Sequence, residues 1–377
     1  MQFEPYPFEK LNTLLSGITP NQNYEPFVLT IGEPQFETPL FIQESLCQNA
    51  HLLRKYPKSA GEESLRDAQL DFVQRRFGVH LEPAQLIPTF GTREVLFNFP
   101  QFLLHDKKEP VMAYTNPFYQ IYEGAAKASR AHVVHLNLCK ENGFQPDIHE
   151  PRLRDADLVI LNFPNNPTAS VMSKVDLGKW VQLALEYDFV LMNDECYSEI
   201  YANEKPPSLL EASLHVGNRN FKNVLVINSI SKRSSAPSLR SGFIAGDSDI
   251  LKQYLKYRTF AGVAVPLPLQ MAAIKAWSDE VHVEKTREIY KQNLLLASEI
   301  LHVSKIEATF YVWLEVWNDL EFTKKLYEHK NIKVLPGSFL GRDGMGSAFV
   351  RVALVEDSVK TKIILERINT FQKEMIV

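Results

Sequence analysis

Long apolar runs are missing from this sequence: none approaches the roughly 18 residues that suggest a membrane-spanning helix. Cysteine is sparse as well. Cys47, Cys139 and Cys196 are three thiols spread far apart, an odd number that fits neither a disulfide framework nor a zinc knot. They read as reduced thiols, and no metal site is expected. No excess of one charge stands out, since 41 Lys and Arg face 45 Asp and Glu for a net charge of −4. That balance gives no electrostatic footprint for nucleic acid or an anionic membrane surface. The opening residues, Met1 to Phe8, lack both the basic and the apolar region of a signal peptide, so a cytoplasmic location is the expectation. Internal repeats and low-complexity segments are also lacking.

What remains is an ordinary soluble composition, 45% hydrophobic and 23% charged over 377 residues, enough chain for two or three domains. Residues 1–26 hold four prolines and read as an irregular arm, broken by a helix around Phe8–Leu15. A strand is expected at Phe27–Ile31 and a helix at Glu62–Phe77, closed by Gly78. Then strand and helix signals alternate. The strands are Leu86–Phe90, Val111–Tyr114, His132–Leu136, Leu158–Asn162, Phe189–Asn193, Val224–Asn228 and Phe243–Ala245; helices fall at Glu94–Leu104, Phe118–Ala128 and Lys174–Tyr187. Short, continuous apolar strands belong to a mostly parallel central sheet with helices on both faces, an α/β fold. Past residue 265 the pattern shifts to a smaller α+β domain. The expected division is a large domain at 45–265 and a small one from 1–44 plus 280–377, joined by a helical segment at 266–300.

In open α/β sheets ligands sit beyond the carboxyl ends of strands, and the unusual residues fall there. After Val224–Asn228 comes Ser229-Ile-Ser-Lys232, with Arg240 eight residues beyond the lysine. A lysine among small side chains at a strand end can reach into a cleft and, presented as the free amine, form a Schiff base with an aldehyde cofactor. Ser229 and Arg240 suit a phosphate, as do Thr92 and the backbone of Gly91-Thr92-Arg93 at a helix start. Tyr119 can lay its ring on a flat heteroaromatic, or simply pack in the core. Asn162-Phe-Pro-Asn-Asn166-Pro167-Thr168 requires a fixed irregular loop whose amides can donate to an oxygen. Asp194, at a buried strand end, needs a partner such as a protonated ring nitrogen, with Tyr197 close by; the plain alternative is a surface acid in a turn. Arg351 lies mid-strand among apolar residues and requires an anion, which a substrate carboxylate would supply.

Taken as an ordered set with Gly32 and Tyr56, these residues resemble the fold-type I, pyridoxal-phosphate-dependent aminotransferases of classes I and II. The likeness runs over nearly the whole chain. It implies pyridoxal 5′-phosphate held as a Schiff base on Lys232, which then shuttles a proton at the substrate Cα. It implies Asp194 on the pyridine nitrogen, Asn166 and Tyr197 on the ring oxygen, and Tyr119 stacked on the ring. Gly91, Thr92, Arg93, Ser229 and Arg240 would surround the phosphate. Arg351, with Asn166 and Gly32, would take the substrate carboxylate, and Tyr56 would reach into the other subunit of a homodimer with shared active sites. Small amino acids and 2-oxo acids would be the substrates, with no nucleic-acid or membrane partner.

Within that family, the stretches Gly91–Phe97, Asp194–Tyr201, Ser231–Phe243 and Tyr257–Phe260 are most similar to N-succinyl-L,L-diaminopimelate aminotransferases of lysine and cell-wall biosynthesis. Arg233 and Arg258 fall in these stretches, either as ligands for distal carboxylates or as surface or interface charges. Ala169 departs from the family pattern, where glycine commonly follows Asn-Pro-Thr. Phe260 to Gln270 contains no basic residue, which counts against a dedicated aspartate enzyme. A broad aspartate or acidic amino acid aminotransferase is the alternative, with a carbon–sulfur lyase behind it. A cofactor-binding regulator would need a DNA-binding module for which no residues are spare.

Overall fold

In the computed structural model the described residues run from 3 to 376; Met1, Gln2 and Val377, at the outer limits of the expected small domain, lie outside them. The chain opens with α1 (Pro7–Leu14), the short β1 (Phe27–Val28), α2 (Leu40–Asn49) and α3 (Glu63–Phe77). Helix α3 stops where its sequence says it should, on Gly78 at φ 66°, a left-handed cap that glycine adopts without steric cost. Strands and helices then alternate: β2 (Leu86–Thr89), α4 (Thr92–Leu103), β3 (Val111–Asn116), α5 (Ile121–Ser129), β4 (His132–Asn137) and β5 (Leu158–Leu161). They continue with α6 (Lys174–Tyr187), β6 (Val190–Asp194), α7 (Leu209–His215), β7 (Val224–Ser229), the single turn α8 (Ile230–Arg233), β8 (Gly242–Gly246), α9 (Ser248–Ala261) and α10 (Leu267–Ser278).

These strands form one seven-stranded sheet in the order β2-β8-β7-β6-β5-β3-β4. All run parallel except β8, which is antiparallel to both of its neighbours. Alternate side chains of each strand enter opposite cores, because successive Cβ atoms point to opposite faces. In β5, Leu158 and Ile160 pack with Val95 and Phe99 of α4 and Tyr254 of α9, whereas Val159 and Leu161 pack with Phe72 of α3, Trp180 of α6 and Trp277 of α10. Both faces are thus covered, and the strands read as unbroken apolar runs for that reason.

The remaining elements are α11 (Val281–Leu301), β9 (Tyr311–Glu315), α12 (Asp319–Lys330), β10 (Ile332–Lys333), β11 (Leu335–Pro336), β12 (Phe349–Ala353) and α13 (Ser358–Ile376). They build a small antiparallel sheet, β11-β12-β9, and a separate core around Leu314, Phe322, Val350 and Leu365. Strand β1 pairs in parallel with β10, stitching the N-terminal segment to this unit.

The fold is α/β as expected, but several elements differ from the sequence reading. The first strand is shorter than Phe27–Ile31, because beyond Leu29 the chain turns towards the cavity and spends the carbonyls of Thr30 and Gly32 on side chains there. Helices α2, α7 and α9 were not legible. Helix α2 buries only Ile42 and Ser45, and α7 is too short to show a period. In α9 the buried positions are Leu251, Tyr254 and Arg258, so a charge stands where a third apolar residue would complete the stripe.

Candidate active site

Because β2, β3, β5, β6 and β7 all point the same way and β8 runs back, the segments after five strands and the one before β8 meet at a single edge of the sheet. There they border a cavity of about 480 Å³, closed on the other side by residues of the small unit and the N-terminal arm. Gly32, Thr92, Arg93, Tyr119, Asn166, Asp194, Tyr197, Ser229, Lys232, Arg240 and Arg351 all line it.

At its centre is Lys232. The β7 strand ends at Ser229, whose hydroxyl caps α8 by accepting from the Ser231 N–H, and one helical turn aims the Lys232 ammonium at the cavity. There Nζ donates to the carbonyl of Gly32 and lies 5.9 Å from the centre of the Phe310 ring. Asp194 ends the neighbouring strand and is buried, accepting from the Tyr122 hydroxyl at 3.1 Å and the Cys196 N–H at 3.3 Å. Burial pushes its carboxyl above the usual range, and the positive charge of Lys232 opposes that shift. Its burial excludes the reading of a surface acid, and because it makes no ion pair among the described residues it is suited to a cation brought by a ligand.

One end of the cavity is a cradle for an anion. Gly91 starts α4 beneath the guanidinium of Arg240 at φ 74°, a conformation that favours glycine, and a Cβ there would lie 2.5 Å from Nη2 and displace Arg240. Arg240 is fixed from behind, donating to the carbonyls of Pro237 at 2.9 Å and Phe90 at 3.2 Å. Thr92 pairs with the Cys196 thiol at 3.2 Å, and the Ser229 and Ser231 hydroxyls lie 2.8 Å apart. Arg93, at the exposed rim, donates to the Tyr119 hydroxyl at 2.7 Å.

The other end is built for a carboxylate. Arg351, in the middle of β12, is 5% exposed and spans Asn166 Oδ1 at 2.7 Å and the Thr30 carbonyl at 2.6 Å. Its guanidinium lies 4.4 Å from the centre of the Tyr311 ring, while Nε has no partner and no carboxylate pairs with it among the described residues. Tyr311 in turn bonds the Tyr197 hydroxyl at 2.9 Å, and its own hydroxyl occupies the space a side chain at Gly32 would need. Burial raises Tyr197 well above an ordinary phenol. The Asn166 loop is held from inside: Asn162 donates to the Asp194 carbonyl at 2.8 Å and accepts from the Asn166 N–H at 2.9 Å, and Asn165 accepts from Thr168. Ala169 in this loop sits at φ 60°.

Three sequence candidates are not brought to the cavity. Tyr56 does not line it and is 98% exposed. Arg258 and Arg233 are neither substrate ligands nor surface charges. Arg258 is fully buried against Glu94 at 2.9 Å and the Ser59 carbonyl, and Arg233 against Glu280 at 2.8 Å and the Ala276 carbonyl. Each is paired with a carboxylate of the fold, with only the Nε of Arg233 left without a partner, and neither side chain lines the cavity. Conversely, sequence reasoning passed over Tyr122, Cys196, Ser231, Tyr311 and the arm residues Tyr6 to Phe8, all at or lining the cavity. Tyr122 had a signal, since it follows Tyr119 by one helical turn; Tyr311 had none until β9 and β12 were paired.

Comparison with known proteins supplies the context. Residues 25–368 match the family model described as aminotransferase class I and II. The structure superposes on aminotransferase AspB from Helicobacter pylori with a TM-score of 0.97, at 53% identity, covering 99% of this chain and 100% of that one. An aminotransferase from Neisseria meningitidis superposes with a TM-score of 0.93 at 37% identity, covering 98% of each chain. The LL-diaminopimelate aminotransferase of Natranaerobius thermophilus is 29% identical over 95% of each sequence.

Proposed function

The chain belongs to the class I and II aminotransferases, which depend on pyridoxal 5′-phosphate, and we propose that its own reaction moves an amino group between N-succinyl-L,L-diaminopimelate and 2-oxoglutarate. The residues present fit the cofactor: a glycine cradle under Arg240, a buried carboxylate without a cation, and an amine between them. When bound, that group supplies a carbonyl to take up the amino group and a ring to accept electron density from Cα.

In this reading Lys232 would hold the cofactor and then move the proton at the substrate Cα. Asp194, steadied by Tyr122, would keep the pyridine nitrogen protonated. Tyr197 and Asn166 would donate to the ring oxygen, and Tyr119 would supply an aromatic face to the ring. Gly91, Thr92, Ser229 and Arg240 hold the phosphate, with Arg93 at its edge. Arg351, oriented by Asn166 and the Thr30 carbonyl, takes the substrate carboxylate beside Gly32. A homodimer with Tyr56 reaching into the partner's cavity accords with the 98% exposure of Tyr56 and the 94% exposure of Phe260, large aromatic side chains left bare on one subunit.

The observation that carries the reaction is the meeting of Lys232, Asp194 and Arg351 at one cavity. Support for a diaminopimelate-type donor comes from the motif stretches and from the likeness to an LL-diaminopimelate aminotransferase, and the succinyl group rests on the motif stretches alone. The broader acidic reading stands second: Arg233 and Arg258 both pair with carboxylates of the fold, so the distal carboxylate that both kinds of donor carry has no reader assigned to it. A donor panel with 2-oxoglutarate separates the two. N-succinyl-L,L-diaminopimelate is expected to give the highest kcat/KM; a strong preference for aspartate would overturn the assignment in favour of the second reading.

A further inference from the structure

Three residues outside the cavity form a hydrogen-bonded chain that runs from the half-buried Asp279 to the buried Ser234. His282, near the start of α11, places Nδ1 2.5 Å from Asp279 Oδ1 and Nε2 2.8 Å from the hydroxyl of Ser234. Asp279 also accepts from the His282 N–H at 3.0 Å, which fixes the ring's position as well as its tilt. The order Asp, His, Ser matches that of a hydrolase triad. Ser234, however, is 1% exposed and does not line the cavity, so no electrophile can reach its oxygen. Burial, with Arg233 nearby, holds His282 below its ordinary value. A neutral ring that donates from Nδ1 to Asp279 must accept at Nε2, so the Ser234 hydroxyl donates to it.

What the chain holds is the segment immediately after Lys232. The Ser234 N–H closes the α8 turn by donating to the Ile230 carbonyl. Next to it, Arg233 donates to the Ala276 carbonyl at 2.8 Å and to Glu280, and stacks 4.9 Å from the centre of Phe72. On the far side the Ser235 carbonyl accepts from Thr38 at 2.6 Å. Three successive residues are thus tied to surrounding structure, two of them to the short stretch Ala276–His282, while Lys232 alone turns towards the cavity. The turn has only four helical residues and cannot hold itself, since an isolated turn that short is not stable.

We propose that Asp279, His282 and Ser234 are positioning residues for Lys232: the chain fixes the backbone from which the reactive amine is presented. The inference rests on Lys232 being the residue that carries the amine chemistry. Misplacing a reacting group by about 1 Å can cost on the order of a hundredfold in rate.

The test mixes apoprotein with pyridoxal 5′-phosphate and follows two quantities: the affinity of the initial complex, and the rate at which the covalent link to Lys232 then closes. Ser234→Ala and His282→Ala are expected to keep the affinity and to slow closure by on the order of tenfold or more. The double variant is expected to be no slower than the worse single one, because both remove one interaction. A merely structural role would lower the melting temperature and leave closure in the folded molecules unchanged, which would overturn the proposal. Additive slowing in the double variant would overturn it too. Ser234→Ala removes a single oxygen and serves alone if the histidine variant does not fold. Failure of the parent protein to link through Lys232 would instead reject the functional reading itself.

Discussion

The two walls of the cavity are made in different ways. The sheet wall is a row of strand ends, with Gly91, Tyr119, Asn166, Asp194 and Lys232 each at or just past the last residue of a strand. Neighbouring backbone and small hydroxyls fix most of these groups before any ligand arrives. The opposite wall is gathered from Gly32, Tyr311 and Arg351, far apart in sequence, and it centres on a buried cation with an idle Nε. Three buried arginines sharpen the contrast. Arg258 and Arg233 each face a carboxylate and stabilise the fold, whereas Arg351 faces carbonyl oxygens and an aromatic ring and is left for an anion from outside. The groups of the sheet wall are therefore placed by local strand-end structure, and those of the small-unit wall by the packing of distant segments.

That difference can be broken by mutation, most severely on the sheet side. Lys232→Ala is expected to reduce kcat by at least the 10²–10⁴-fold attributable to a positioned proton-transfer group; steady-state assay reads this directly, and near-parental turnover would refute the assignment.

Next come two arginine substitutions with opposite signatures. Arg258→Met strands the Glu94 carboxylate in the interior and is expected to cost about 3–5 kcal/mol of stability, measured by denaturant unfolding, without raising KM for the oxo acid. Arg351→Met is expected to weaken carboxylate binding by about 2–5 kcal/mol, seen as a rise in KM, with no drop in melting temperature. Identical behaviour of the two variants would erase the distinction between an arginine paired within the fold and one left for an anion from outside.

Behind the sheet wall, Glu195 is buried beside Asp194 with Oε2 unpartnered, and burial pushes it from 4.5 up to about 8. The folded state then keeps a proton that the unfolded chain releases, so this group's contribution to stability declines as pH rises from about 4.5 to about 8. Glu195→Gln is expected to flatten that decline in a series of unfolding curves; an unchanged slope would show that Glu195 is ionised in the folded protein.

The smallest effect concerns the loop that joins the two walls. Ala169 carries a Cβ at φ 60°, and Ala169→Gly is expected to gain roughly 0.5–1 kcal/mol with kcat unaltered. A loss of stability there would mean that the methyl group's packing outweighs the backbone strain.

The same contrast explains what was legible in the sequence. Strand ends are local: the apolar run, the small residues after it and the reactive side chain are contiguous, so Lys232, Asp194 and Gly91 could be found with the sheet that carries them. Arg351 was visible because a charge inside an apolar strand is costly. Tyr311 and the Thr30 carbonyl were not, since their approach to Arg351 depends on how β9, β12 and the N-terminal segment pack. Arg258 misled for a related reason: its partner Glu94 lies on another helix, α4, and no local pattern links them. Helix α9 was hidden by the same residue, whose charge interrupts the stripe that periodicity detects.

One amine, that of Lys232, is the proposed point of covalent attachment. Borohydride reduction of the cofactor-loaded protein, followed by peptide mapping, tests this most directly. A pyridoxyl group on the peptide containing Lys232, and on no other, is the predicted result. Attachment to a different lysine, or none at all in protein that binds the cofactor, would contradict it.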